Sequence, residues 1–91
     1  MSSRTVTVGS SVGLHARPAS LFAQAAAAVG TPVTISRPDG DPVNAASVLS
    51  VLSLGVEHGE TVVLHAEGDD AESVLDALEV VLNTDHDSVT A

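Results

Sequence analysis

Pro18 constrains this chain more than any other residue, because it stands at the head of the alanine-rich stretch Ala19 to Val29. Proline has no N–H and its ring clashes with the preceding turn, so it is tolerated only in the first turn of a helix. The helix is therefore expected to begin near His15 to Pro18. Leu21, Phe22, Ala25 and Val29 recur at helical spacing, and Gly30 supplies a residue that commonly ends a helix. His15, with Ala16 and Pro18 beside it, thus falls at the helix N-terminus.

Unpaired N–H groups and the positive end of the helix dipole favour an anion there, by about 0.3–1 kcal/mol for an exposed charge. The same field disfavours a protonated imidazole. A neutral imidazole at His15 keeps the lone pair that attacks phosphorus, and Arg17 offers a planar fork suited to phosphate oxygens. These residues are the candidate site: His15 as phosphoacceptor and Arg17 as phosphate stabiliser, with Ala16 and Pro18 forming the helix start.

The stretch Gly13-Leu14-His15-Ala16-Arg17-Pro18-Ala19 resembles the active-site motif of the HPr family, the histidine-containing phosphocarrier proteins of the phosphoenolpyruvate-dependent sugar phosphotransferase system. A second stretch, Val43 to Gly55, resembles the family's regulatory serine segment at the distance from the histidine that the family shows. The resemblance implies that His15 accepts a phosphoryl group through Nδ1 from phosphorylated Enzyme I. It then passes the group to sugar-specific or dihydroxyacetone-specific components. It implies a carrier rather than an enzyme, a regulatory phosphosite at Ser47 read by an HPr kinase, and a docking patch drawn from Val48, Leu49, Val51 and Leu52. At Ser47 the chain departs from the family's regulatory pattern, since Ala46 stands where a basic residue usually precedes the serine. The alternative reading is a non-enzymatic regulatory HPr-like paralogue or a βαββαβ ligand-sensing domain.

The remaining segments alternate or repeat in ways that predict elements. Arg4 to Val8 reads as a half-buried strand with Val6 and Val8 inward, and Val33 to Ser36 as a second strand. Asp39-Gly40 is expected to supply left-handed positions for a tight hairpin that returns through Val43 to Ala45. Ala46 to Leu54, closed by Gly55, reads as a short helix capped by Asn44 or Ser47. It is too apolar to bury every side chain. Thr61 to Glu67 alternates with Val62, Leu64 and Ala66 inward, and Asp69 or Asp70 is placed to cap a last helix striped by Val74, Leu75, Leu78, Val81 and Leu82. The order is βαββαβα, an α+β domain over residues 1–91 with a polar tail from residue 83 to 91. An antiparallel sheet can leave one face wet, and the resemblance implies an open-faced β-sandwich: four antiparallel strands covered on one face by three helices.

Composition narrows the partners. Three arginines, no lysine and twelve carboxylates give a formal charge of −9, which would repel nucleic acid, and Phe22 is the only aromatic side chain. Without cysteine there is no thiolate metal site, and His58, His65 and His86 lack the spacing of a metal motif, so neither metal nor cofactor is expected. The start of the chain has no apolar targeting core and no run approaches a membrane span. A cytoplasmic monomer without membrane insertion is therefore expected. The acidic residues, spread over Asp39, Asp41, Glu57, Glu60, the last helix and the tail, read as a solvated coat suited to a high-salt cytoplasm, plausibly that of a halophile.

Overall fold

The computed structural model describes residues 2–9, 13–14 and 16–83, so His15 and the tail beyond Asn83 lie outside the described residues. The elements run β1 (Ser2–Thr7), α1 (Ala16–Ala28), β2 (Val33–Ser36), β3 (Val43–Asn44), α2 (Val48–Ser53), β4 (Thr61–Ala66) and α3 (Ala71–Asn83). The strands form one sheet in the order β1-β4-β2-β3, every pairing antiparallel. β4 is its centre: Val63 faces Thr5 on one side and Ser36 on the other. The expected open-faced arrangement is the observed one.

Strict alternation explains why one face is covered. Val62, Leu64 and Ala66 are buried while Thr61, Val63 and His65 are half-buried on the other face, where Ser3, Thr5 and Thr7 of β1 stand exposed. The helices lie on the apolar side, and Phe22 of α1, Leu75 and Leu78 of α3 and Val51 of α2 complete a core with Ile35 and Leu64. With one aromatic ring available, closeness is obtained from small side chains: Ala19 and Ala26 are buried in α1. The stripe of α1 is therefore Ala19, Phe22, Ala23 and Ala26, whereas Leu21, Ala25 and Val29 flank it, half-buried.

Two further expectations are corrected. The β2–β3 connection, residues 37–42, begins with a four-residue turn closed by the Gly40 N–H donating to the Arg37 carbonyl at 3.0 Å, with Pro38 and Asp39 at its centre. Gly40 is not among the glycines with positive φ, because Pro38 already sets the bend and Gly40 stands last in the turn. Val51, read as a docking residue, is completely buried, because a six-residue helix turns its fourth residue onto the core while Val48 and Leu49 at its start face out.

The helix starts fall at residues named for capping. The Ser47 hydroxyl accepts from the Ser50 N–H at the start of α2, and the Asn44 side chain accepts from the Ala46 N–H one turn earlier. At α3 the Asp70 carbonyl accepts the first helical bond, from the Val74 N–H, which places Asp70 at the cap position.

Candidate functional site

α1 begins at Ala16, and Pro18 is its third residue, where its missing N–H would have had no helical partner. Pro18 is buried and Arg17 is exposed, so the proline anchors the first turn inward while the guanidinium projects to solvent. Among the described residues no carboxylate pairs with Arg17. It differs in this from the other two arginines, which are held in place on the protein.

Arg4 lies on the covered face of β1 and reaches Glu72, Asp76 and Glu79, spaced along one face of α3. It bonds Glu72 at 2.9 Å and Glu79 at 3.1 Å, and Asp76 as well. Asp76 above all, with Glu79 and Glu72, raises the pKa of Arg4 above the ordinary arginine value. Arg37 donates to the carbonyls of Leu54 and Gly55, at 2.9 and 3.2 Å, and to Glu60 Oε2 at 2.8 Å. The Glu57 N–H, first, and then Arg37 lower the pKa of Glu60, against an opposing push from its partial burial. A carboxylate lowered in the fold contributes above its unfolded range and loses that contribution as pH falls through the lowered value.

The backbone before His15 is tightly located. The Leu14 N–H donates to the Val56 carbonyl at 2.9 Å, and the Leu14 side chain is buried. Gly13, at φ +75°, lies so close to the segment after α2 that a Cβ would come within 2.6 Å of the Val56 oxygen and 2.8 Å of Glu57 Cα. Only glycine fits both that angle and that approach. On the other side of positions 10–12, the Gly9 N–H donates to the Leu82 carbonyl at the end of α3, and a Cβ on Gly9 would collide with Asn83. This double constraint on the glycines, and the pairing of Arg4 and Arg37 with distant carboxylates, escaped the sequence reading. The spacing of Glu72, Asp76 and Glu79 on one helical face was the available signal for Arg4.

α2 packs against α1 and presents Leu49, 80% exposed, and Val48, 36% exposed. Leu52 is half-buried against the core. Of the remaining histidines, His58 is exposed in the loop after α2. His65 borders a groove of about 230 Å³ on the uncovered sheet face with Pro32, Thr34, Pro42 and Glu67, and His86 lies outside the described residues. Among the described residues no three His, Asp or Glu side chains converge as a metal site, and no helix is long and apolar enough to cross a membrane.

Residues 2–84 match the family model described as the PTS HPr component phosphorylation site. The chain is 55% identical over 78 residues to the phosphocarrier protein HPr of Streptomyces coelicolor, covering 86% of this chain and 84% of that protein. It is 56% identical over 82 residues to the HPr of Haloferax volcanii, covering 89% and 92%. The crystal structure of HPr from Bacillus anthracis superimposes with a TM-score of 0.82 at 37% identity, covering 89% of this chain and 95% of that one. The match extends over nearly the whole chain in sequence and over the four-stranded antiparallel sheet and its three helices in architecture: this chain belongs to the HPr family, the phosphocarrier proteins of the phosphotransferase system, which carry a phosphoryl group and are not themselves enzymes.

Proposed function

We propose that His15 accepts a phosphoryl group from phosphorylated Enzyme I and delivers it to sugar-specific or dihydroxyacetone-specific components of the system. The observation that carries this reading is Arg17 in the first turn of α1, next but one to His15, exposed and without a carboxylate partner among the described residues, whereas Arg4 and Arg37 are held by carboxylates. A P–N bond forms at Nδ1 of His15 as the donor's bond to phosphorus breaks. The transferred group needs positioning and charge stabilisation more than covalent machinery, which a small exposed site provides when partners supply the remainder. Arg17 and the unpaired N–H groups of the first turn supply the charge stabilisation. The role requires donor and acceptor to reach the same nitrogen in turn.

In this reading the partners dock on the apolar surface of α2, with Val48 and Leu49 as its exposed part and Leu52 at its margin. The protein acts as a single copy. Ser47 is the position a kinase would modify; its hydroxyl serves as the cap of α2, and Ala46 supplies no basic residue to a kinase.

Incubation with phosphoenolpyruvate and Enzyme I, followed by intact-mass measurement at neutral and at acid pH, tests the central step. One phosphoryl group is expected, stable at neutral pH and lost in acid, and absent from a folded His15→Ala variant. Acid-labile phosphate on His15→Ala would overturn the assignment.

A further inference from the structure

We infer that Arg37 and Glu60 act as positioning residues for phosphoryl transfer, by holding the segment to which the backbone on both sides of positions 10–12 is tied. This role rests on the carrier reading above. Leu14, immediately before His15, donates its N–H to the Val56 carbonyl. At the other end Val8 donates to the Glu60 carbonyl at 2.9 Å and accepts from the Gly59 N–H at 3.0 Å. One stretch, residues 56–60, therefore grips both flanks.

That stretch contains neither strand nor helix, and a loop gripped only by other loops opens easily. Its rigidity comes from a reciprocal turn and one arginine. The Glu60 N–H donates to the Glu57 carbonyl at 3.1 Å, and Glu60 Oε1 accepts from the Glu57 N–H at 2.8 Å. Arg37 then fastens Glu60 Oε2 to the carbonyls of Leu54 and Gly55, so the turn is bolted to the end of α2. The planar fork matters, because one guanidinium satisfies acceptors in three residues that a single ammonium cannot hold in the same geometry. Val48 and Leu49 lie at the opposite end of α2, so loosening this grip acts on the placement of the acceptor and not on the docking surface.

The test compares Arg37→Ala, Arg37→Lys and Glu60→Gln with the unaltered chain by amide hydrogen exchange and by single-turnover transfer from phosphorylated Enzyme I. In Arg37→Ala the Leu14 and Val8 amides are expected to exchange faster, on the order of tenfold, while the Leu64 amide in β4 keeps its protection. The maximal transfer rate should fall with little change in the Enzyme I concentration giving half-maximal rate, Arg37→Lys recovering part of it and Glu60→Gln falling between. A Leu14 amide indifferent to Arg37→Ala, a uniform rise in exchange that includes Leu64, or an unchanged transfer rate would each overturn the positioning role alone. An unaltered chain that takes up no phosphoryl group would instead overturn the carrier reading on which it rests.

Discussion

Arg17 differs from Arg4 and Arg37 in having its donors unsatisfied by any carboxylate among the described residues, and the difference decides what a substitution costs. Arg17→Lys keeps a positive charge in the first turn but gives up the bidentate fork, so transfer through His15 should slow on the order of tenfold. The melting midpoint should stay where it is, because an exposed side chain away from a packed feature changes stability by about 0.5 kcal/mol at most. Stopped-flow transfer in both directions, with a thermal melt beside it, checks both halves, and unchanged rates would remove Arg17 from the mechanism. The start of α1 was legible because Pro18 can occupy so few positions in a helix. The partners of Arg4 and Arg37 were not, since Arg4 lies 68 to 75 positions from its carboxylates and Arg37 lies 23 from Glu60, separations at which only the sheet register decides who meets whom. Gly13 looked like ordinary loop glycine until the approach of Val56 and Glu57 showed why a side chain has no room there.

α2 shows how one short element divides its labour. Ser47 begins it, Val48 and Leu49 in its first turn face solvent, and Val51 meets the core, so the apolar run that hid this division in the sequence contains two kinds of residue. Periodicity could not separate them, since six residues make fewer than two turns, and only the packing of α2 on α1 and beside β3 fixes its rotation. Leu49→Asp should weaken binding to Enzyme I while shifting stability by no more than about 0.5 kcal/mol. Val51→Ala should do the reverse, losing about 2 kcal/mol through the vacated volume with little effect on affinity. Titration calorimetry and urea melts on the pair separate the roles; parallel losses in both variants would return Leu49 to the core. The long helices α1 and α3 were readable in extent for the opposite reason, having enough turns for a stripe to declare itself. The β2–β3 turn stands where the sequence places it, and only the left-handed conformation expected of Asp39-Gly40 fails, since Pro38 fixes the bend and Gly40 closes it without a positive φ.

For the whole molecule the question is which of two opposed salt effects wins. Among the described residues Glu72, Asp76 and Glu79 pair with Arg4 and Glu60 with Arg37, so the acidic residues are not simply a solvated coat. Screening weakens those pairs. Asp39, Asp41, Glu67, Asp69 and Asp70, by contrast, are exposed acidic side chains on a chain of formal charge −9, and their repulsion acts over longer distances. The Debye length falls from about 10 Å at 0.1 M to about 3 Å at 1 M, so long-range repulsion is removed first, while contacts near 3 Å keep most of their attraction. A core of Ala, Val and Leu with one ring also gains where the salt strengthens apolar burial. The melting midpoint should therefore rise as KCl is taken from about 0.1 M to about 2 M, where the Debye length is a few ångströms. Arg4→Gln should steepen that rise, since it leaves Glu72, Asp76 and Glu79 on one helical face with no cation between them and adds to the repulsion that salt relieves. A midpoint that is flat or falls with KCl in the unaltered chain would show that the ion pairs outweigh the repulsion, and the reading of the acidic surface as an adaptation to a high-salt cytoplasm would fall with it.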